Sequence, residues 1–299
     1  MGSHLSRSRG FRAVFLVVAC GLLACLAGCA SVMRSLADGI RGDDPYGPPI
    51  RRPAATAAGG PQGGVPQRAS YPPYRTPDQL SAAPTADEQA VVASANALVG
   101  MAPEARVVVN GRTFVLDCIG TVSAIFWGMN VDVRKDFARY AGDGVSRLYQ
   151  SLRAREALHH DLIPRPGDVI FWNNTWDANT DGRLDDDPLT HAGVVMAVDP
   201  DGTIHYVHEH VVKGVTVEVM NLRLPRDYYG AQGRIINNAM ALNSGISRQD
   251  NPAHWTSGDL WDSFGDVLRV KKYFEVAITI PGTDHREPIL VALRPPDPQ

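Results

Sequence analysis

The segment from Phe114 to Met129, FVLDCIGTVSAIFWGM, constrains the fold more than any other part of the 299-residue chain. It opens with a short extended stretch that ends at Leu116, and apolar residues then recur at helical spacing from Cys118 onward. Asp117 is placed to cap this helix, because a carboxylate oxygen accepts from the free N–H groups of a first helical turn. The pattern predicts a junction from strand to helix with Cys118 at the helix N-terminus.

A thiol in that position is a candidate nucleophile. Exposed N–H groups and the helix dipole stabilise a thiolate, and they can lower the pKa of a cysteine by one to several units from about 8.5. Cys20, Cys25 and Cys29 all belong to the N-terminal leader, which leaves Cys118 as a lone thiol in the rest of the chain. A lone thiol at a helix N-terminus is a candidate reactive group, and a buried structural cysteine is the alternative.

Residues 1–29 have the composition of an export signal. Three arginines precede an apolar run from Ala13 to Leu26, which is too short for a comfortable membrane span. The run leads into LAGC, which resembles a bacterial lipobox ending at Cys29. The resemblance implies that Cys29 carries the lipid anchor. Because Ala30 follows, it also implies a place in the cell envelope, on the periplasmic face of the outer membrane in a Gram-negative host. An uncleaved signal anchor is the alternative.

The remaining chain divides into three regions. Residues 30–85 are rich in Pro, Gly and Ala and predict a disordered linker, since they cannot bury a core. Such a tether of about 55 residues has a root-mean-square span of roughly 40 Å. Residues 86–225 predict the folded domain, and residues 226–299 predict a C-terminal extension packed on it. The alternative is that this extension binds a partner. A net charge of −3 without a basic cluster argues against nucleic acid as a partner.

Within the folded part, short antiparallel strands follow a helical segment, which favours an α+β fold over parallel βαβ units. Helices are predicted at Asp87–Val99, from Cys118, at Val145–His159 and at Trp255–Val270. Strands are predicted at Arg106–Val109, Thr113–Leu116, Val169–Trp172, from His191, and at Thr203–His210, Val215–Val219 and Tyr273–Ile280.

Two histidines complete a candidate catalytic group with Cys118. A cysteine nucleophile needs a base within hydrogen-bond reach, and the base needs an orienting partner. His191 opens its strand, so its imidazole projects at the sheet edge, where a helix N-terminus can meet it. The adjacent strand carries His205 and His208 on opposite faces, so only one of them can orient His191. Cross-strand neighbours stand about 5 Å apart, which is close enough for that role.

Four motifs, in order from Asp87 to Leu222, resemble those of the NlpC-type peptidoglycan cysteine peptidases, which are small papain-like domains. The motifs are Asp117-Cys118-Ile119-Gly120, Pro166-Gly167-Asp168-Val169-Ile170-Phe171, Thr190-His191-Ala192-Gly193-Val194-Val195 and Tyr206-Val207-His208. The resemblance implies Cys118 as nucleophile, His191 as general base and acid, and His208 as the residue that orients His191. It also implies that the backbone N–H of Cys118 helps to hold the oxyanion.

The resemblance implies a membrane-tethered hydrolase that cleaves an amide bond of a peptidoglycan stem peptide without a catalytic cofactor. Ile119 stands where the family has serine, and an acidic insertion precedes His191. A catalytically silent binding or scaffold lipoprotein, and an amidase or acyltransferase on the same fold, remain as alternatives. Trp172 and Trp176 are candidates for a substrate groove, with packing as the alternative.

The acidic insertion matches an EF-hand-like calcium loop over residues 177–187. The ligand positions 1, 3, 5, 7 and 9 hold Asp177, Asn179, Asp181, the carbonyl of Arg183, and Asp185, and Gly182 occupies position 6. Position 12 is Pro188, which leaves Asp186, Asp187 or water to complete the shell. The sequence predicts a structural calcium ion that stiffens the loop ahead of His191, and a solvated acidic turn is the alternative.

Overall fold

The computed structural model describes residues 74–183, 185–240 and 255–277, together with the backbone of 290–292, and all of them belong to one compact unit. The predicted leader, the lipidation site at Cys29 and most of the predicted linker lie outside these residues. Within the described part of the chain, no helix is long and apolar enough to cross a membrane.

A six-stranded antiparallel sheet forms the centre of the domain. Its strands are β3 (Leu158–His159), β4 (Asp168–Trp172), β5 (His191–Val198), β6 (Thr203–His210), β7 (Gly214–Asn221) and β8 (Trp261–Asp266). They lie in the order β3-β8-β4-β5-β6-β7. A smaller antiparallel sheet has β1 (Arg106–Val109) between β2 (Arg112–Val115) and β9 (Leu290–Ala292). The α+β prediction is confirmed.

The helices are short, and each of the first four is preceded by a residue whose side chain caps it. They are α1 (Pro77–Ser81), α2 (Ala86–Asn96), α3 (Cys118–Trp127), α4 (Gly144–Arg153) and α5 (Lys271–Phe274), with a 3-10 turn at Phe137–Arg139. Thr85 and Glu88 form a capping box at the start of α2, and Asp143 caps α4 by accepting from the Ser146 N–H. Each cap satisfies N–H groups that the first helical turn cannot use internally.

Both faces of the large sheet are buried, which explains why its central strands are almost continuously apolar. Side chains of α2, α3 and α4 pack on one face, against Val169, Val194 and Val207 among others. The opposite face is covered by residues that follow β7, including Leu222, Met240 and Leu260. The first face therefore fixes the position of α3, the helix that carries Cys118.

Three predicted elements are wrong. The helix predicted over Val145–His159 ends at Arg153, because Glu156 has a φ of 53° and the chain then forms β3. Within the helix predicted over Trp255–Val270, residues 261–266 form β8 instead, which inserts between β3 and β4. The strand predicted over Tyr273–Ile280 is helical up to Phe274, and its last residues, 278–280, lie outside the described chain.

Near the start of the described chain, a buried arginine joins three strands of the sheet. Arg75 donates two hydrogen bonds of 2.7 Å to the carboxylate of Asp168 on β4 and one of 2.6 Å to Asp266 on β8. It also lies 3.3 Å from Nε2 of His159 on β3. The segment before α2 is thus part of the folded domain.

Candidate active site

The junction between β2 and α3 holds Cys118 as the sequence predicts. The Asp117 carboxylate accepts from the Gly120 N–H at 2.5 Å and caps the helix, whose first residue is Cys118. Gly120 lies so close to the Val115 carbonyl oxygen that a Cβ would collide with it. This close approach explains why a glycine follows the cysteine by two positions. Cys118 is a free, partly exposed thiol.

The two predicted histidines meet at one end of the sheet. Nε2 of His191, at the start of β5, lies 2.9 Å from Nδ1 of His208 on β6. A Cβ at Gly193 would lie 2.8 Å from the Val207 carbonyl oxygen and 3.2 Å from Cβ of His208, so glycine lets the two strands approach at this point. His205, on the other face of β6, pairs with Asp199 instead.

The chain of hydrogen bonds continues to Glu218, a residue that the sequence analysis missed. Nε2 of His208 lies 3.1 Å from Oε2 of Glu218 on β7, and Lys213 pairs with Oε1 of the same carboxylate at 3.0 Å. The strand register places Glu218 opposite Tyr206, so it reaches His208 diagonally. Period-two alternation along β7 is the signal that could have found it, once the β6–β7 register is known.

The order of partners limits how the two rings can share protons. An ionised carboxylate only accepts hydrogen bonds, so Nε2 of His208 donates to Glu218. In the arrangement in which Nε2 of His191 donates to Nδ1 of His208, Nδ1 of His191 is left with a lone pair. His191 can then act as a base through Nδ1.

One cavity of about 350 Å³ contains Cys118 together with both histidines. Its remaining walls are Glu104, Asp117, Thr175, Trp176, Thr190, Glu209, His210, Val211, Ala239 and Met240. Trp176 thus borders the cavity, in agreement with the prediction that it is a candidate for a substrate groove. Trp172 is fully buried behind His191, with its indole N–H donating to the Ser257 carbonyl oxygen at 2.8 Å.

The electrostatics of the thiol differ from the sequence expectation. Burial and the neighbouring Asp117 carboxylate raise the pKa of Cys118 to about 12, although the N–H groups of Ile119 and Ala192 act in the opposite direction. The lowered pKa predicted for a helix N-terminus is therefore wrong, because loss of hydration and the Asp117 carboxylate outweigh the backbone N–H groups. Cys118 rests as a neutral thiol.

The imidazole of His191 is also held in its neutral form. Burial and the adjacent His208 lower the pKa of His191 well below 6.5. Among the described residues, no hydrogen bond joins the thiol of Cys118 to His191. One cavity therefore holds a neutral thiol and a neutral imidazole rather than a preformed ion pair.

The predicted calcium ligands lie together in one surface loop between β4 and β5. Across the described residues, no three His, Cys, Asp or Glu side chains are already gathered at metal-binding distance. The loop returns to the cavity through Thr190, whose hydroxyl oxygen accepts from the Thr175 backbone N–H at 2.9 Å.

No family model, curated protein or solved structure matches this chain.

Proposed function

We propose that this chain is a cell-envelope cysteine hydrolase of the NlpC papain-like type, which cleaves an amide bond in a peptidoglycan stem peptide. The main support for the proposal is a single cavity that contains Cys118, at a helix N-terminus, together with His191 and His208. Behind the cavity wall, Glu218 lies within hydrogen-bond distance of His208. A nucleophile, a base and groups that orient the base are the parts that acyl transfer needs. The sequence resemblance supplies the substrate class, and the lipobox at Cys29 supplies the tether.

In the proposed reaction, Sγ of Cys118 attacks the amide carbonyl carbon while Nδ1 of His191 takes the thiol proton. The carbonyl electron pair moves onto oxygen, near the backbone N–H of Cys118, which has no partner within the helix. Collapse of this intermediate breaks the C–N bond, and His191 returns the proton to the leaving amine. Water activated by His191 then hydrolyses the thioester and restores the thiol.

The isoleucine in the nucleophile motif is compatible with this chemistry. Ile119 does not line the cavity, and its side chain packs toward Gly144, where an added Cβ would lie 2.8 Å from Cγ2 of Ile119. The serine that the family has at this position is therefore replaced on the core side of the helix. The departure changes packing behind the nucleophile and leaves the cavity wall unchanged.

The raised pKa of Cys118 favours a second candidate function, a binding lipoprotein that has the fold but does not turn over a substrate.

Product analysis separates the two candidate functions. The purified full chain is incubated with muropeptides, and the products are identified by mass spectrometry. A split stem with a new amino group supports the proposal. A whole stem freed from the glycan assigns an amidase instead, and binding without any product assigns the scaffold.

We expect Glu218→Ala to lower kcat/KM by at least about tenfold, because general acid–base groups contribute about 10²- to 10⁴-fold and depend on their orientation. Glu218→Gln keeps an acceptor oxygen for His208 and should retain more activity than the alanine variant. His205→Ala is the matched control, since His205 lies on the other face of β6, and it should leave kcat/KM within about twofold. Equal activity in wild type and Glu218→Ala would remove Glu218 from the site.

The pH dependence of kcat/KM should reflect the lowered pKa of His191. Because the pKa of His191 lies well below 6.5, its protonation, and the loss of activity that follows, should occur only at pH values well below 6.5. The charge of Glu218 raises the pKa of His191, so Glu218→Gln should move the acid limb of kcat/KM to still lower pH. An acid limb at or above pH 6.5 in the wild type would contradict this assignment.

A further inference from the structure

The loop between β4 and β5 is folded around its own acidic side chains. The two carboxylate oxygens of Asp177 accept from the N–H groups of Asp181 and Gly182 at 3.2 and 2.8 Å. Oδ1 of Asn179 accepts from Asp181, and Oδ1 of Asp181 accepts from Arg183, both at 2.9 Å. Gly182 has a φ of 86°, the backbone conformation that a tight cation-binding loop requires at this position.

The carboxylate of Asp187 gives an independent indication of a ligand. Asp187 is only 3% exposed, and its Oδ2 has no hydrogen-bond partner among the described residues. Its Oδ1 accepts from the Asn179 N–H at 3.2 Å, so the carboxylate lies against the third ligand position of the loop. Hydrogen bonds of 2.8 Å to Asn174 fix the Asp187 backbone. A buried carboxylate oxygen without a partner is costly, and a cation would satisfy it.

We propose that residues 177–187 bind one calcium ion, with Asp187 supplying the acidic ligand that Pro188 cannot supply at position 12. Calcium prefers six to eight oxygen ligands of mixed type, so amide and backbone oxygens join the carboxylates. The ligands are Asp177, Asn179, Asp181, the Arg183 carbonyl, Asp185 and Asp187.

Arg183 competes with a cation for two of the acidic side chains of the loop. Arg183 holds Asp185 through contacts of 3.1 and 3.2 Å and lies 3.3 Å from Asp186. All of these side chains are at least partly exposed, so the pairs are weak and a divalent cation can displace the arginine. Five aspartates and a single arginine between residues 177 and 187 leave excess negative charge for that exchange.

Binding would stabilise one wall of the cavity. Trp176 directly precedes the first ligand, and its indole N–H donates to the Thr190 carbonyl oxygen at 3.2 Å. Calcium binding can be tested without a substrate, so it is independent of the proposed hydrolase function.

The test is a titration of the full chain with calcium chloride, followed by calorimetry and by the melting temperature. We expect one site with a dissociation constant of about 10⁻⁴ to 10⁻³ M, as in extracellular calcium modules, and weaker binding of magnesium. Melting should shift upward with calcium concentration, since only the folded loop binds the ion. Terbium in the same site should show emission sensitised by Trp176, and this emission should be lost in Trp176→Phe.

Two variants at ligand positions, and one control variant, distinguish ligands from structural residues. Asp177→Asn combined with Asp181→Asn should raise the calcium dissociation constant at least tenfold. Asp187→Asn should remove the calcium-dependent rise in melting temperature without lowering the melting temperature in the absence of calcium. Asp186→Asn, with the same charge change at a position that is not a ligand, should alter the dissociation constant less than threefold. Absence of calcium binding to the wild type, or equal binding by Asp187→Asn, would overturn the proposal.

Discussion

Replacing Cys118 with serine is expected to reduce turnover of a stem-peptide substrate by about 10⁴-fold or more, because loss of a nucleophile removes the covalent path. A serine hydroxyl is less acidic than the thiol, so the neutral His191 cannot activate it to the same extent. The measurement is kcat/KM from the rate of product formation by purified wild type and variant.

The control for this prediction is a measurement showing that the Cys118→Ser variant is still folded. Cys118 is partly exposed at a helix N-terminus, so Cys118→Ser should change the free energy of unfolding by no more than about 1 kcal/mol. Substrate should still bind to the variant. Turnover close to that of the wild type would remove Cys118 from the mechanism, whereas an unfolded variant is recognised by its circular dichroism, and Cys118→Ala then replaces it.

Replacing Arg75 with alanine is expected to destabilise the domain by about 3–5 kcal/mol, because breaking a buried ion pair leaves charge uncompensated. The side chain of Arg75 is 9% exposed, and those of Asp168 and Asp266 are 2% and 12% exposed. For a domain of this size the loss corresponds to a fall in melting temperature of about 6–20 °C. Thermal unfolding followed by circular dichroism measures it.

The same variant should also unfold more readily in acid. Burial alone would raise the pKa of Asp168, but its hydrogen bonds with His159 and Arg75 lower it below 3.8 in the folded protein. A lowered folded pKa contributes stability above the unfolded pKa that is lost as pH falls through the folded value. Without Arg75 the folded pKa rises, so acid unfolding of Arg75→Ala should begin at higher pH.

A matched exposed arginine provides the control for Arg75. Arg234 pairs with Asp201 at 2.6 Å, and their side chains are 40% and 53% exposed. Exposed pairs contribute about 0–1 kcal/mol, so Arg234→Ala should shift melting far less than Arg75→Ala. Similar shifts in the two variants would show that Arg75 is not the buried anchor described above.

The sequence alone places Cys118 at a helix N-terminus, because the signals for that position are local. The Asp117 cap, the helical spacing after Cys118 and the turn before β6 depend on neighbours within a few residues. These three features lie where the sequence pattern indicates. The order of the motifs then predicts that His191 and His208 approach Cys118, and the structure brings the three into one cavity.

The remaining features depend on contacts between distant residues. Glu218 reaches His208 only through the β6–β7 register, and Arg75 meets Asp266 across most of the chain. Trp261 and Phe264 have a spacing that fits a helix, yet they form β8 because the edge of β4 is open to pair with them. The raised pKa of Cys118 likewise follows from its burial, which cannot be predicted from the neighbouring residues in the sequence.

The most direct test of the central claim is to trap the acyl-enzyme. The full chain is mixed with muropeptides, quenched in acid and digested, and the peptide that contains Cys118 is examined by mass spectrometry. The proposed mechanism predicts a thioester adduct on Cys118 that is absent from His191→Ala. Stem-peptide cleavage with no adduct on Cys118, or with unchanged rate in Cys118→Ala, would contradict it.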